Sequence, residues 1–396
     1  MKKYLSVKYL TSVCFLLLLG AMLWGSLRPA YYAAYHQLQN LRAGTGISTS
    51  QVEYEYNDTL PHKSLYITLN GGFQRLMGIR HVNDRYRMDN GHLTYVIPRT
   101  DVTEMAENTV AFRDALGEMG IPFGYVSTLF KIDPEDPQLP LSVSDYSHEN
   151  TDAFLSILAE NQVPTLDLRQ KEQEQGLDHY SLYYVTDHHW TAEAGFWAYT
   201  QLVGWLEDRD SSFAVDPALT SAENYDHTVY EDIFCGSAAR RVGPLYAGLD
   251  DLTLITPKFD TWLYSHQPVS DAYREGSYTD TLLYFEHLTR ENMLETSAYS
   301  VYMGSDQPCL MLQNASRQKD LPVKSTPKRL LILKDSSALV VAPFLALSYD
   351  EVCLIDLRAF EGSLMEFIGE YQPDQVLAVY NPGALETHNL VLYQFD

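Results

Sequence analysis

Residues 329–345 read RLLILKDSSALVVAPFL, and this stretch decides the fold class. The branched apolar residues of its first half predict a buried strand that ends at Lys334 and Asp335. From Ser336 onward the apolar spacing is that of a helix, so the polar residues form a strand-to-helix turn. A buried strand that leads directly into a helix is typical of α/β proteins whose parallel sheet is covered on both faces.

The same alternation extends along most of the chain. Apolar, β-rich runs predict strands at 93–98, 123–128, 164–168, 329–334, 351–356 and 375–380. Helical patterns lie between them, near 103–119, 150–161, 191–207, 336–348 and 360–371. The region from about 208 to 328 fits the alternation poorly and is predicted to be a large insertion of loops, short strands and turns. We therefore expect an α/β domain with a parallel sheet, in which ligands bind where the strands end.

The N-terminus has the pattern of a membrane anchor. Lys2, Lys3 and Lys8 precede an uncharged run of nineteen residues at 9–27, which as a helix spans about 28 Å, close to a bilayer's hydrocarbon core. Lysines on the near side predict a cytoplasmic N-terminus and an extracellular main domain. A cleaved signal peptide is the alternative, but the small residues that a cleavage site needs are not found at 20–36. An uncleaved single-pass anchor is expected.

Three segments follow from these patterns. Residues 1–28 are expected to form the cytoplasmic tip and the transmembrane helix, 29–63 a stem and linker, and 64–396 the folded extracellular domain. The early part of the stem has the composition of a short helix, whereas its Gly, Ser and Thr residues are typical of a linker.

Charge and cysteine content exclude some classes of function. Aspartate and glutamate number 52 against 28 lysines and arginines, and the net charge of −24 argues against nucleic acid as a partner. Cys14 lies in the predicted anchor, and Cys235, Cys309 and Cys353 leave an odd number outside it, so no disulfide framework is predicted. Their spacing matches no metal motif, and small buried hydrophobic side chains are expected instead.

Residues 186–190 read TDHHW and follow the run SLYYVT, which is predicted to be a strand. A helix starts near Thr191, so Asp187 and the histidines are expected in a strand-to-helix turn. The carboxylate of Asp187 can hold the Nδ1–H of His189, which leaves Nε2 free to act as a general base. Two alternatives remain open. His188 and His189 could belong to a zinc site, or the cluster could serve only in helix capping and packing.

Ser336 stands where a nucleophile is expected. A serine in a strand-to-helix turn presents its hydroxyl above the sheet, and the helix start offers N–H groups and a positive dipole for an oxyanion. The alternative is that Asp335 and Ser336 are ordinary N-cap residues. Asn381, which follows the strand at 375–380, could donate to an oxyanion or a sugar hydroxyl, although an Asn-Pro-Gly sequence is also typical of a simple turn.

The predicted insertion contains FCGSAARRVGP, with two adjacent arginines in a strongly acidic chain. Arg240 and Arg241 could bind an anionic polymer, or could pair with carboxylates such as Asp250 and Asp251. Ser237 is a second conceivable nucleophile, although no predicted strand leads into it.

Together, TDHHW followed by a helix, FCGS with the two arginines, LLILKDSSA with PFLA, EVCLIDLR, and QVLAVYNPG resemble the DHHW family of membrane-anchored bacterial proteins. The likeness runs from about residue 70 to the end. That family is similar to the alginate O-acetyltransferase proteins of the periplasm, which have an SGNH-hydrolase-like α/β/α fold and an Asp-His-Ser triad that moves acetyl groups on polysaccharide. The resemblance implies a three-layer α/β/α domain.

Carried over to this chain, the resemblance implies Asp187 as orienting acid, His189 as base and Ser336 as nucleophile. His188 then occupies the variable position of the motif, and Trp190 is a packing or substrate-facing aromatic residue.

The chain also departs from the pattern of the acetyltransferases. Lys334 replaces the usual small residue before the Asp-Ser pair, and Ser337 replaces an aromatic residue after it. There is no recognisable carbohydrate-binding module after the catalytic domain, so polymer recognition is expected to rest on the insertion and the many tyrosines.

The expected function is therefore that of a cell-surface O-acetyltransferase or acetylesterase that acts on envelope polysaccharide through an acyl-enzyme, without cofactor or metal. Backbone N–H groups at the helix start, with Asn381, are predicted to hold the oxyanion. The expected partners are a cell-envelope polysaccharide, the membrane through the N-terminal helix and, as a candidate acetyl donor, a membrane-bound O-acyltransferase. The alternatives are a non-catalytic glycan-binding or scaffold protein that partners such an acyltransferase, and a metal-dependent hydrolase that uses His188 and His189.

Overall fold

The computed structural model describes residues 2–44, 46–210, 213–318 and 328–395. Short 3-10 helices, among them His179–Leu182 and Ser336–Val340, lie between the α-helices. The α-helices are α1 (Lys2–Ala43), α2 (Thr49–Asp58), α3 (Lys63–Leu76), α4 (Thr103–Glu118), α5 (Ser147–Glu160), α6 (Leu168–Gln175), α7 (Ala192–Arg209), α8 (Pro217–Thr220), α9 (Ser237–Val242), α10 (Pro244–Ala247), α11 (Tyr278–Leu282), α12 (Ala315–Gln318), α13 (Ala342–Ser348) and α14 (Leu364–Tyr371).

The strands form a large central sheet and two small sheets. The central sheet has the order β5-β4-β13-β11-β12-β10-β8-β9, a small sheet has the order β1-β2-β3, and β6 pairs with β7. The strands are β1 (His81–Val82), β2 (Arg85–Arg87), β3 (Leu93–Thr94), β4 (Phe123–Ser127), β5 (Thr165–Asp167), β6 (Tyr225–Phe234), β7 (Asp250–Pro257), β8 (Leu263–Gln267), β9 (Ala272–Gly276), β10 (Cys309–Asn314), β11 (Arg329–Lys334), β12 (Glu351–Ile355) and β13 (Gln375–Tyr380).

The central sheet is parallel in one part and antiparallel in the other. Strands β5, β4, β13, β11 and β12 run parallel, as predicted, with β11 between β12 and β13. The sequence did not predict that β10, β8 and β9 extend this sheet as antiparallel strands. All three come from the predicted insertion, and the burial of β8 and β9 does not follow the pattern of a strand buried on both faces. The central sheet is therefore mixed, with five parallel strands and three antiparallel strands at one edge.

Two apolar layers cover the sheet. Along β11, Leu330 and Ile332 face one core, which contains α7 and α13. Leu331 and Leu333 face the other, which contains α4, α5 and α14. All four leucine and isoleucine side chains are buried, and each stabilises the fold by roughly 2 kcal/mol. The alternation of a strand between two cores gives the predicted three-layer α/β/α architecture.

Two predicted strands are absent from the central sheet. Of residues 93–98 only Leu93–Thr94 forms a strand, and it belongs to the small β1-β2-β3 sheet. The Ile97 N–H donates instead to the Asp145 carboxylate, and Pro98 has no N–H, so the segment cannot continue a ladder.

The run SLYYVT is likewise not a strand. Its backbone bonds to buried side chains: the N–H groups of Val185 and Thr186 donate to the Asp250 carboxylate. The Lys131 ammonium donates to the carbonyl of Tyr184. Because these groups are satisfied by side chains, the run needs no neighbouring strand. Only Tyr183 forms an isolated bridge, to Trp190.

The N-terminal part is helical throughout most of its length. The apolar stretch within Lys8–Ala43 is long and hydrophobic enough to cross a membrane, by length and composition, with a mean hydropathy of 2.0. Helix α2 occupies part of the region that was expected to be a linker. It packs on α1 as an antiparallel hairpin, in which the Ser48 N–H donates to Gln37 and His36 pairs with Glu55.

Helix α3 packs on two short helices that follow β6. Its face with Gly71 and Gly72 packs on α9 and α10, where a side chain at position 71 would collide with the carbonyl oxygen of Val242. The contact is possible because these positions lack a Cβ. Helix α3 is thereby in direct contact with α9, which also contributes to the site described next.

Candidate active site

Ser336 lies at the carboxyl end of β11, as the sequence predicts. The Asp335 carboxylate caps the following 3-10 helix by accepting hydrogen bonds from the N–H and hydroxyl of Ser337. Its second oxygen accepts the Asn381 N–H at 2.7 Å, which ties the turn after β11 to the turn after β13. The turn is therefore rigid, and it leaves the Ser336 hydroxyl available for other partners.

Asp187 and His189 lie in the loop before α7, whose N-cap is Thr191, also as predicted. The Asp187 carboxylate is buried and accepts two hydrogen bonds from His189, one from the backbone N–H at 2.8 Å and one from ring Nδ1 at 2.5 Å. Lys131 supports the loop from below, because its ammonium donates to the Asp187 carbonyl at 2.6 Å. These contacts fix both the position and the ring orientation of His189.

A continuous chain of hydrogen bonds connects the two turns. His189 Nε2 lies 2.7 Å from the Ser336 hydroxyl, and His189 Nδ1 lies 2.5 Å from Asp187. Tyr299 stacks on the His189 ring with centroids 4.0 Å apart, and its hydroxyl donates to the Ser336 carbonyl. The three predicted residues are thus brought together in the order acid, imidazole and hydroxyl, which is the geometry of an activated nucleophile.

The electrostatics keep the acid ionised. Burial alone would raise the pKa of Asp187, but the His189 and His188 imidazoles and the Ser237 N–H together lower that pKa well below its ordinary value. A carboxylate that stays negative can orient the imidazole and stabilise the imidazolium that forms when Ser336 loses its proton.

The two adjacent serines differ in their surroundings. Ser336 reaches His189, whereas Ser337 is buried and donates its hydroxyl to Asp335. The Ser337 carbonyl in turn accepts a hydrogen bond from the Trp190 indole at 2.9 Å. Lys334, where the sequence departs from the acetyltransferase pattern, is buried and forms an ion pair with Asp306.

A second serine–histidine pair lies beside the first. His188 Nδ1 is 2.7 Å from the Ser237 hydroxyl, and the Ser237 N–H donates to the second oxygen of Asp187. Burial and the neighbouring His189 lower the pKa of His188 to about 3, so this imidazole is neutral near pH 7. Sequence reasoning noted Ser237 but did not predict its contact, because its partner lies 49 residues away in the chain.

The site opens into a cavity of about 540 Å³. Ser336 and His189 line it together with other predicted residues, namely Trp190, Asn381 and Arg241. Arg240 is not part of the cavity wall.

The predicted pairing of the two arginines with Asp250 and Asp251 is wrong for the described residues. Asp250 instead accepts hydrogen bonds from Val185 and Thr186, and Asp251 accepts the N–H of Asp232.

Asn381 is less available than the sequence suggests. Its amide nitrogen donates to the Leu129 carbonyl at 3.0 Å, and its side-chain oxygen accepts the Gly383 N–H at 2.7 Å. Both contacts are those of a turn residue, and they leave one amide hydrogen for a ligand. Its role in binding an oxyanion stays a prediction.

Comparison with known proteins supports the fold and the region that carries the site. Residues 96–223 match the family model described as "SGNH hydrolase-like domain, acetyltransferase AlgX". The structure superposes on PatB1 of Bacillus cereus with a TM-score of 0.62 and 21% identity, covering 78% of this chain and 98% of PatB1. The domain is SGNH-hydrolase-like.

Two further solved structures agree with this assignment. PatB1 with a sulfonyl adduct gives a TM-score of 0.60 and 20% identity, over 78% of this chain and 99% of the other. A DHHW family protein from Eubacterium siraeum gives 0.55 and 16% identity, over 79% of this chain and 95% of the other. The predicted resemblance is confirmed, and at these identities it establishes the fold. No curated protein sequence matches the chain.

Several residues of the candidate site were not predicted from the sequence. Lys131 and Tyr299 support the triad, and the cavity wall also contains Arg85, Tyr95 and Arg358. Lys131 carries a detectable signal, because it interrupts the apolar run LFKI at 129–132 and a lysine there must find buried acceptors. The others come from distant segments, and no local pattern marks them.

The alternative function, a metal-dependent hydrolase, would use side chains of the TDHHW loop. Asp187, His188 and His189 each offer a ligand atom, and these atoms lie within 4.8 Å of one another. Three ligands from consecutive residues could hold an ion, but both Nδ1 atoms are already engaged, one with Asp187 and one with Ser237. A metal at this position would have to displace the hydrogen bonds that orient His189.

Proposed function

We propose that this chain is a membrane-anchored O-acetyltransferase or acetylesterase that acts on cell-envelope polysaccharide through Ser336. The observation that carries the proposal is the hydrogen-bonded chain from Asp187 through His189 to the Ser336 hydroxyl, at 2.5 and 2.7 Å. Ser336 and His189 line a cavity that is large enough for a sugar unit with its ester. The match of residues 96–223 to an acetyltransferase family model supports the same class of reaction.

The reaction proceeds by an acyl-enzyme. His189 Nε2 takes the proton of Ser336 as Oγ forms a bond to the acetyl carbonyl carbon, and the carbonyl oxygen becomes an oxyanion. When this intermediate collapses, the bond to the leaving oxygen breaks and His189 returns the proton to that oxygen. Acetyl-Ser336 remains. In the second half, His189 takes a proton from water or a sugar hydroxyl as that oxygen attacks the acetyl carbon. The bond from the acetyl carbon to Ser336 Oγ then breaks, and His189 returns the proton to Oγ.

Fewer N–H groups are available to bind the oxyanion than the sequence predicts. The Ser337 N–H is bonded to Asp335, so it does not face the reacting carbonyl. We assign the oxyanion to the Ser336 N–H and to the remaining amide hydrogen of Asn381, whose side chain lines the cavity.

The place of action follows from the N-terminal helix. Its apolar stretch is compatible with a single membrane span, and the lysines before it favour a cytoplasmic N-terminus and an external catalytic domain. An external domain would meet envelope glycan directly. A membrane-bound O-acyltransferase as acetyl donor belongs to the same proposal, since an acetyl group made inside the cell must cross the bilayer before Ser336 can receive it.

The test uses a sulfonyl fluoride, because the related fold of PatB1 forms a sulfonyl adduct. Full-length protein in detergent is treated with phenylmethylsulfonyl fluoride, and the modified residue is located by peptide mass spectrometry. We expect the label on Ser336, and none on Ser336→Ala. Ser337→Ala is the matched control, since it removes a neighbouring hydroxyl that does not reach His189. It should still be labelled.

Hydrolysis of a chromogenic acetyl ester completes the test. Ser336→Ala and His189→Ala should each lower kcat by on the order of 10³-fold or more. If the wild-type protein neither takes the label nor exceeds the background rate, the enzyme proposal fails. The alternative to pursue is then a non-catalytic glycan-binding or scaffold protein.

A further inference from the structure

The wall of the Ser336 cavity carries two arginines without a carboxylate partner. Arg85 comes from β2 and Arg241 from the end of α9, and both line the cavity. Neither forms an ion pair with any carboxylate in the described residues. Arg358, which lines the same cavity, differs because it is bound to Asp356 and Asp306. Unpaired guanidinium groups are unusual in a chain with a net charge of −24.

Arg85 is held in place by contacts that leave its charge uncompensated. Its guanidinium lies over the Tyr95 ring at 5.3 Å, and one nitrogen donates to the backbone carbonyl of Asp84. Tyr95 in turn contacts the His188 ring edge-to-face at 6.1 Å. Arg85 is therefore connected to the histidine cluster through two contacts, the first with Tyr95 and the second between Tyr95 and His188.

Arg241 lines the same cavity, although it lies more than 150 residues after Arg85 in the sequence. It is four residues after Ser237 on α9, so the two side chains lie on one face of the helix. Ser237 is bonded to His188 and Asp187. The helix that completes the histidine cluster thus also presents Arg241 to the cavity.

The two cations repel each other. The pKa of Arg85 is lowered, first by burial and then by the charge of Arg241. The carboxylates of Asp84 and Asp187 act in the opposite direction, but the pKa of Arg85 stays lowered, and neither forms an ion pair with it. Glu386 also lines the cavity and lies 3.7 Å from His388. An anion placed between the two guanidinium groups would remove the repulsion and gain charge-assisted hydrogen bonds.

We propose that Arg85 and Arg241 form a subsite for one anionic group, a carboxylate or a phosphate, on the glycan that reacts at Ser336. The inference rests on the proposed function for the identity of the ligand as a glycan. An acetyl ester is neutral and needs no cation, so the arginines serve the sugar that carries or accepts the acetyl group. The substrate class is then an acidic polysaccharide, with its charge next to the reacting hydroxyl.

The first experiment measures binding without chemistry. Full-length Ser336→Ala protein in detergent is titrated calorimetrically with trigalacturonic acid, with maltotriose 6-phosphate and with neutral maltotriose. We expect one of the charged sugars to bind at least ten-fold more tightly than maltotriose, and the preferred sugar tells carboxylate from phosphate. Equal binding of charged and neutral sugars, or no binding of a charged sugar up to roughly 10 mM, overturns the subsite.

The second experiment assigns the effect to the arginines. Arg241→Gln and Arg85→Gln, each made in the Ser336→Ala background, should weaken binding of the preferred charged sugar about ten-fold or more. Arg99→Gln is the matched control, since Arg99 is exposed and lies outside the cavity wall. Arg241 is also exposed, so its replacement does not endanger folding. Arg85→Lys and Arg241→Lys retain the charge and should fall between wild type and the glutamine variants.

Unchanged affinity in both glutamine variants overturns the proposal, even if Ser336 proves to be the nucleophile. Conversely, arginine-dependent binding together with an inert Ser336 would leave the subsite standing and reject the proposed enzyme. Because the binding assay needs no reactive serine, the two failures are distinguishable.

Discussion

Ser336 and Ser337 are adjacent residues with identical side chains, and the groups around them give them different roles. Ser336 accepts or donates to His189 at 2.7 Å, whereas Ser337 closes the cap of its own helix through Asp335. The capping interpretation is correct for Asp335, which is the N-cap and accepts hydrogen bonds from Ser337, and the nucleophile interpretation fits Ser336. Both roles are needed, since the cap keeps the turn rigid enough to hold Ser336 within reach of the imidazole.

A first prediction concerns Asp187. Replacement by asparagine should lower kcat for ester hydrolysis on the order of 10⁴-fold, because a neutral amide cannot hold His189 in the required tautomer or stabilise its cation. The variant should also unfold at lower temperature at pH 7, since the His189 and Ser237 contacts lose their ionic partner, at a cost of about 2 kcal/mol. Activity and thermal unfolding are measured on the full-length protein.

The same variant has a defined pH dependence. The folded pKa of Asp187 lies below its unfolded value, so its contribution to stability is present above about pH 4 and disappears as the pH falls through the folded pKa. The difference in melting temperature between wild type and Asp187→Asn should therefore be constant from pH 7 to 5 and shrink below about pH 4. A difference that grows on acidification would contradict the ionised state of Asp187.

At this scale the sequence predicts residues that follow strands or precede helices, and misses those whose partners are distant. Asp187, His189 and Ser336 were identified because each lies in a turn next to an apolar element. Arg240 was selected with Arg241 because they are adjacent. Neighbouring residues on a helix point about 100° apart, so only one of them can face the cavity.

At the scale of elements, the loop before α7 is the least regular part of the site and one of the most constrained. The SLYYVT run was predicted to be a strand because its apolar and aromatic residues fit that pattern. Its actual conformation depends on Lys131 and Asp250, which satisfy its backbone groups from other segments. Local sequence cannot show this, since these partners lie 53 and 65 residues away.

A second prediction concerns the contact between α3 and α9. Gly71→Ala should lower the melting temperature, because the added methyl group would lie 1.8 Å from the Val242 carbonyl oxygen and force the helices apart. Overpacking of this kind costs about 1–3 kcal/mol. Since α9 carries Ser237 and Arg241, the variant should also lose esterase activity.

Gly204→Ala is its matched control. Gly204 lies within α7 and a Cβ there meets nothing within 4 Å, so alanine should instead raise stability by about 0.5–1 kcal/mol through its higher helix propensity. Thermal unfolding of both variants gives the comparison. Shifts of the same sign in the two proteins would show that the α3–α9 contact is not as close as described.

At the scale of the whole molecule, the sequence predicts the layers but not the width of the sheet. Alternation of strands and helices identified the parallel strands and the two covering layers, because each of those elements is locally regular. The predicted insertion proved to be structural: β8, β9 and β10 complete the sheet. β8 and β9 contain mostly polar or aromatic residues without a regular alternation of burial, so periodicity did not identify them as strands. β10 pairs with β12, which follows it by about 40 residues, and local sequence does not show this pairing.

A third prediction tests the orientation in the membrane. Cys235, Cys309 and Cys353 are buried, which gives a low background for thiol labelling of the native protein. Ser270→Cys places a thiol at an exposed position of the catalytic domain. In intact cells a membrane-impermeant maleimide should label it, whereas a thiol introduced by Lys3→Cys should react only after lysis. Labelling of position 270 only after lysis would place the domain inside the cell.

The helical hairpin of α1 and α2 bears on how far from its anchor the protein can work. With 9–27 in a bilayer, residues 28–43 at about 1.5 Å per residue rise roughly 24 Å, and α2 runs back by roughly 15 Å before α3 begins. The chain is thus held on a short tether, and the catalytic domain stays within a few tens of ångströms of the lipid surface. On the function proposed above, Ser336 would therefore act on polymer that lies close to the membrane surface.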